Sequence, residues 1–417
     1  MISPLQFEAL LEATKQVLRF VHPADAVLKH FFRDNKNLGM RDRGLIAETV
    51  YALLRKRTWL MHLTQSDQPR LLVLATLVKV QGWDVKAMSG FTKAHEREML
   101  RGIAASEPSH FSLPAETNFP EWLIQLYLKR HTRPEIIELA QGLNQPGPLD
   151  LRVNTIHTDR DAVLEALKEI EVEASATPYS PVGIRVVGKP ALHQHKLLVD
   201  GHVEVQDEGS QLLGYLLAPK RGEMVVDFCA GAGGKTLLLG ALMHSTGRLY
   251  AFDVSEKRLT NLKPRLKRSG LSNVQPVRIE HENDARVKRL AGKVDRVLVD
   301  APCSGLGTLR RNPDLKWRQS VEDIAELAVK QRNILAGAAG LLKPGGRLVY
   351  ATCSILFEEN QAVVEEFLAN NSEFQLRSSE EILRAQQIEI DCGEMLELLP
   401  HRHHTDGFFA AVLERQR

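Results

Sequence analysis

The sequence holds only four cysteines in 417 residues. None of them forms a C-x-x-C pair, which excludes the usual zinc ribbons and fingers, so no metal is expected. Charge of either sign is not in excess: Lys+Arg 54 stand against Asp+Glu 52, for a net +2. Such a balance does not demand a polyanionic partner, and any basic surface must be local. No apolar run approaches the roughly 18 residues of a membrane span. The N-terminal "MISPLQFEALLEATKQ" has neither the apolar core of a signal peptide nor the bias of a transit peptide. These absences predict a cytoplasmic chain with reduced thiols and no membrane partner. His401, His403 and His404 lie close together in "PHRHHTDGFF", but without partner cysteines they read as a solvated turn.

What is present is a chain with 43% apolar and 25% charged residues. That composition supports two or three globular domains. Residues 1–145 read as helical: "SPLQFEALLEATKQVLRF" offers a Ser N-cap and apolar residues at three-to-four spacing. "RDRGLIAETVYALLRKRTWL" repeats the pattern with Leu45, Val50, Leu53 and Leu54. Residues 29–57 carry eight Lys/Arg against three Asp/Glu. A solvated helix face explains such a run, and a polyanion-binding face is the sharper reading. "NQPGPLD" at 144–150 is a boundary. Residues 146–206 then form a small α/β unit: strand "LRVNT", a helix with Asp159 near its start, and strands "GIRVV" and "HVEVQ".

From residue 207 to 417, strands alternate with helices: "MVVDF", "RLYAFD", "VQPVRI", "DRVLVD" and "RLVYAT". All are rich in Val and Leu, as parallel strands buried on both faces should be. The pattern predicts a doubly wound, mostly parallel sheet. The closing "GFFAAVLERQR" reads as an added edge strand.

"VVDFCAGAGGKT" combines a strand, a Gly-rich turn and a helix start. Gly231, Gly233 and Gly234 allow a ligand to approach the backbone, and the helix N-terminus faces the same ligand. Asp253 ends the next strand, where an acid can take both hydroxyls of a ribose. A P-loop would need Gly where Cys229 stands. The dinucleotide fingerprint fails at Thr236. S-adenosylmethionine, with a ribose and no phosphate, fits best.

Cys303 in "LVDAPCSGLG" and Cys353 in "LVYATCSILF" each follow a predicted strand. In a doubly wound sheet, ligands bind beyond the carboxyl ends of the strands, so both thiols should face the cofactor site. Core cysteines are the plainer alternative, and Cys392 and Cys229 keep that reading. Two thiols and the nearby Asp300 suit methylation at carbon 5 of a pyrimidine. That carbon is a poor nucleophile until a thiolate adds at carbon 6. Methylation of oxygen or nitrogen needs no such adduct.

"DFCAGAGGKT", "VDAPCSGLGTLRRNPDLKW", "LLKPGGRLVYATCS" and "DGFFAA" resemble the NOP/Sun (Fmu) family of RNA cytosine-C5 methyltransferases, bacterial 16S rRNA type. The resemblance implies a class I Rossmann-like methyltransferase domain using S-adenosylmethionine. By it, Cys353 is the nucleophile and Cys303 assists proton loss and product release. Cys229, Ala230, Gly231, Ala232, Gly233, Gly234 and Lys235 cradle the methionine and ribose part of the cofactor. Asp253 binds ribose, Asp284 lies near the adenine, and Asp300 contacts the methionine end or the target base. The loop "HENDARVKR" around Asp284 departs from the family's Gly-Asp turn, and Gly231-Ala232 replaces its Ala-Pro. Upstream, "MRDRGLIAETVYALLR" resembles a helical NusB-like region, and "LRVNTIHTDRDAVLEAL" through "VEVQDEGSQ" resembles a small ferredoxin-like RNA-binding unit.

These resemblances favour 16S rRNA as partner, with transfer RNA as the alternative; a monomeric enzyme is the expectation. Arg310, Arg311 and Lys316, just after Cys303, and Arg41 and Arg43 in the basic N-terminal stretch are the expected phosphate contacts. A non-catalytic RNA-binding or ribosome-assembly factor would need neither Cys303 nor Cys353. A small-molecule methyltransferase would leave the helical region unexplained.

Overall fold

The computed structural model describes residues 2–106, 111–188 and 190–417. The chain divides into two compact units: Met1–Pro146 with Thr308–Val321, and Gly147–Gly307 with Glu322–Arg417.

The first unit is helical. Its opening helix, Pro4–Val17, starts as the sequence predicts: Ser3 Oγ accepts from the Gln6 N–H at 3.2 Å, and Gln6 Oε1 accepts from the Ser3 N–H at 2.7 Å. This capping box satisfies two otherwise orphaned donors. The long helix Met40–Thr64 buries Val50, Leu53 and Leu54 against Phe7, Leu10 and Leu72. The segment Thr308–Val321 completes this unit rather than the sheet. Trp317 packs against the helical core and its indole N–H donates to Leu54 O at 3.3 Å. Asp314 accepts from the Ala24 N–H at 3.2 Å and from Arg318 Nε at 2.8 Å. Nothing in the local sequence marks this excursion.

The second unit carries two sheets. The smaller has strands β1 (Leu149–Val153), β2 (Ala174–Ala176), β3 (Gly183–Val186) and β4 (Val203–Val205), in the order β2-β3-β1-β4, all antiparallel. Helix Arg160–Glu169 begins at Asp159, whose carboxylate accepts from the Ala162 N–H at 2.9 Å. It packs Val163 and Leu167 onto Leu151 and Ile184. The β2 strand is one the sequence reading lacks; three residues are too few to show a period.

The larger sheet holds β5 (Met224–Asp227), β6 (Arg248–Asp253), β7 (Val274–Arg278), β8 (Val294–Asp300), β9 (Leu342–Thr352), β10 (Phe374–Arg377), β11 (Leu396–Leu398) and β12 (Phe408–Arg415). Its order is β10-β12-β9-β8-β5-β6-β7, with β11 paired to β12. Strands β5 to β9 are mutually parallel, while β12 runs antiparallel to β9 and to β10. Pro276 sits in β7, the last strand of the order, where a missing N–H costs no ladder bond on the open side. The strand order reverses between β5 and β8, which opens a crevice at their carboxyl ends.

β12 corrects one expectation. It is not an edge strand but lies between β9 and β10. Six successive residues, Phe408 to Leu413, are buried. Both faces of the strand are covered, so its unbroken apolar run is that of an interior strand.

Gly307 marks the tightest approach at the end of the first cysteine turn. Its N–H donates to Cys353 O at 2.9 Å and its carbonyl accepts from the Gly407 N–H at 2.8 Å. A Cβ there would collide with the Gly407 carbonyl. Gly307→Ala should therefore destabilise the second unit by about 1–3 kcal/mol. Gly44→Ala, in a helix with open space around it, should stabilise by about 1 kcal/mol. Thermal midpoints of the two variants check both signs.

Candidate active site

A cavity of about 760 Å³ opens at the carboxyl ends of β5, β6, β8 and β9. Its floor is the turn after β5. Gly233, at φ 84°, caps helix Gly234–Leu242, and a Cβ on it would strike Leu262. Cys229, Ala230, Gly231, Ala232, Gly234 and Lys235 line the cavity, and Gly233 shapes the turn behind them.

Three strand-end acids surround this turn. Asp253 accepts from the Gly231 N–H at 2.8 Å and from the Ser255 N–H at 2.7 Å, which locks it to the turn. A carboxylate has further lone pairs for a ribose. Asp300 accepts from Lys235 Nζ at 2.6 Å. Burial pulls the Lys235 pKa down, but the Asp300 charge and hydrogen bond outweigh it, so the ammonium persists. Asp227, the acid that sequence reasoning missed, is buried; one oxygen accepts from Thr236 Oγ1 at 2.6 Å and the other, Oδ1, has no protein partner. Burial pushes its pKa up to about 7, with the Asp300 charge adding to the rise. Its position at the end of β5 matches those of Asp253 and Asp300 on their strands, a signal already present in "VVDF".

Asp284 lies in the loop after β7. Its oxygens accept from the Arg286 and Glu280 N–H groups at 2.8 and 2.9 Å, capping a short helix. The acid of this loop that lines the cavity is Glu282.

Two arginines hold the turn from behind. Arg152 of β1 donates to Gln206 Oε1 and to the Gly234 carbonyl. Arg265 donates to the Ala232 carbonyl at 2.7 Å and to Glu204 of β4 at 2.7 Å, and Glu204 also receives Arg268 at 2.8 Å. Burial lowers the Arg152 pKa to about 10, partly offset by Glu204, so it stays charged at neutral pH. Arg265 and Arg268 are thus engaged inside the unit, although "EKRLTNLKPRLKRSG" offers them as surface charge.

The two cysteine turns meet at this cavity, which both thiols line, with Cys303 Sγ 3.4 Å from Cys353 Sγ. The hydrogen bond to Cys353, then burial, hold the Cys303 pKa well above the usual thiol value. Cys303 therefore remains a thiol. Cys229 is also pushed up by burial and is a packing thiol. Cys392 lies apart from the cavity and keeps its packing role.

Of the expected phosphate contacts, Lys316 is a correction. It is fully buried in the first unit, with Nζ 2.8 Å from Asn144 Oδ1 and 3.5 Å from the Arg55 carbonyl. Burial lowers its pKa well below the usual lysine value. A phosphate cannot reach it. Arg310 is also largely buried, and its carbonyl accepts from Arg55 Nη2 at 3.0 Å. Arg311 is half-buried. Arg43 is half-buried, donating to Leu38 O at 2.9 Å, and Arg41 is exposed.

The family model for 16S rRNA methyltransferase RsmB/F matches residues 214–414, and the RsmF/B-like ferredoxin-like domain matches residues 119–193. A probable ribosomal RNA small subunit methyltransferase B of Synechocystis sp. is 36% identical, covering 79% of this chain and 74% of its own length. The ribosomal RNA small subunit methyltransferase B of Proteus mirabilis is 34% identical over 91% of this chain and 92% of its own. The chain belongs to the RsmB/F methyltransferase family. A solved methyltransferase homolog protein from Pyrococcus horikoshii superposes with TM-score 0.62 at 27% identity, covering 74% of this chain and 100% of that one.

The cofactor of this RsmB/F chain is S-adenosylmethionine. The residues present fit it. The buried, unpartnered Asp227 Oδ1 suits an α-ammonium, Asp253 suits the ribose, and the turn leaves room for close approach. An ammonium favours ionised Asp227, and protonation of Asp227 removes that counter-charge. Affinity for S-adenosylmethionine should therefore be greatest just above pH about 7, before the α-ammonium itself titrates at about 8. Below pH about 7, down to pH about 5.5, it should fall roughly tenfold per unit while the α-ammonium stays charged. Calorimetry across this range checks it; Asp227→Asn should bind weakly throughout and lose the step.

Proposed function

We propose that this chain methylates carbon 5 of a cytosine in 16S rRNA, as a monomeric cytoplasmic enzyme, with Cys353 as nucleophile. One observation carries the reading: two thiols 3.4 Å apart at the mouth of a methyltransferase cofactor cavity. The relatives named as small-subunit RNA methyltransferases support the substrate class.

Cys353 adds to carbon 6 of the base, and the electrons of the 5,6 double bond make carbon 5 nucleophilic. The Lys235 ammonium lines the same cavity as both thiols, where it can offset developing negative charge. S-adenosylmethionine bound at the Gly turn supplies an electrophilic methyl group. Cys303 starts as a thiol beside Cys353, its pKa raised by that contact and by burial. A thiol of raised pKa is a stronger base once it has given up its proton. After methyl transfer Cys303 releases its proton to solvent, and the resulting thiolate takes the carbon-5 proton; the C–H electrons re-form the double bond, and the C6–S electrons return to Cys353. The cytosine must be unstacked to reach the thiols, at a cost of a few kcal/mol unless it lies in a loop.

Cys353→Ala should abolish methylation and any covalent RNA adduct. Cys303→Ala should still attack but release slowly, giving a denaturant-resistant protein–RNA band that the double variant lacks. The reverse pattern would exchange the two roles. Bisulfite sequencing of RNA from a strain lacking the chain would locate the cytosine and separate ribosomal from transfer RNA. For the helical unit, Arg41→Glu should weaken RNA binding and lower the salt slope by about 1. Lys316→Met, at a buried position, should leave that slope unchanged.

A further inference from the structure

Behind the two thiols lies a carboxylate that touches neither. Glu359 is fully buried. It accepts from the Ser304 N–H at 2.8 Å and from the hydroxyls of both Ser304 and Ser354. Those serines directly follow the two reactive cysteines, and their own hydroxyls are 3.2 Å apart. Gln331 Nε2 donates to Glu359 at 3.0 Å and to the Pro302 carbonyl, the residue before Cys303, also at 3.0 Å. The next residue, Asn360, donates to the Ser354 carbonyl at 3.1 Å and accepts from Thr352 Oγ1, the residue before Cys353. Tyr350 of β9 fixes the Glu359 carbonyl at 2.6 Å. Each cysteine is thus bracketed on both sides by groups tied to one short segment.

We propose that Glu359 is a positioning residue that yokes the two cysteine turns and sets which thiol attacks. The deduction rests on the methyl-transfer reading above. Two turns on different strands have no covalent reason to keep their sulfurs in register. A buried carboxylate with both serines as donors supplies one, because charge-assisted hydrogen bonds are short and directional. The charge also acts unequally. Cys303, held first by its hydrogen bond to Cys353 and then by burial, is further disfavoured as a thiolate by the Glu359 carboxylate. Glu359 therefore helps keep Cys303 protonated. Neither cysteine motif reveals this residue, since it lies in "FEEN", an acidic turn like many others.

The test reads the two sulfurs separately, without requiring turnover. Full-length protein is treated briefly with iodoacetamide, and mass spectrometry reports alkylation of Cys303 and Cys353. In the parent protein, Cys353 should react at least about tenfold faster, because Cys303 is held as the unreactive thiol. Glu359→Gln, which keeps the shape and removes the charge, should bring the two rates within about threefold of each other. In single-turnover methyl transfer to RNA, its rate should fall about 10²-fold, the scale of a small misplacement, with RNA affinity unchanged. Ser354→Ala, which removes one hydroxyl, should shift both readouts the same way and carries the test if Glu359→Gln does not fold. A folded Glu359→Gln with parental alkylation selectivity overturns the proposal, whatever happens to its rate. So does faster labelling of Cys303 in the parent. Full methylation by Cys353→Ala would instead sink the methyl-transfer reading and leave the alkylation result standing by itself.

Discussion

Neighbouring strands of a sheet lie about 4.8 Å apart, and parallel neighbours end side by side. Everything at this site depends on that constraint acting on β8 and β9. Asp300 pairs with Ala351, so the residues after each strand emerge together, and the Ala301 N–H extends the ladder to the Ala351 carbonyl at 2.8 Å. Cys303 and Cys353 are 50 positions apart in the chain, yet the sheet leaves their turns no other place to go. The serine–glutamate cluster refines a meeting that the ladder has already arranged. Because β5 is the next strand in the order, the cofactor turn opens onto the same crevice.

The small sheet takes part in the same structure from the other side. Its β1 and β4 carry Arg152 and Glu204, and these, with Arg265, fix the carbonyls of Ala232 and Gly234. A glycine-rich turn is conformationally free in itself. Buried, charge-assisted bonds to its carbonyls remove that freedom. A unit that the sequence presents as an RNA-binding appendage therefore also stiffens the cofactor turn.

The parts of the molecule visible in the sequence are those written in local patterns. The Val- and Leu-rich strands, the Gly turn, Asp253 and the two strand-end cysteines all lie where periodicity and punctuation place them. The parts that were hidden depend on partners distant in the chain. Lys316 looks like a surface cation because its neighbours are basic; only the fold brings Asn144 to it. Arg265 and Arg268 look solvated until β4 delivers Glu204. The interior position of β12 could have been inferred, since "FFAAVL" lacks the alternation of a strand with one wet face. Glu359 could not, since its role exists only once two serines 50 residues apart converge on it.

The close approach of the thiols also sets a condition on the solvent around the protein. A disulfide needs sulfurs about 2.05 Å apart, so a pair 3.4 Å apart is separated from that bond by little more than the loss of two protons and two electrons. The geometry that holds the two sulfurs side by side would let an oxidant join them and silence both. Such a pair works only while thiols outcompete oxidants, and its chemistry is tied to the redox balance of its compartment as firmly as to its RNA.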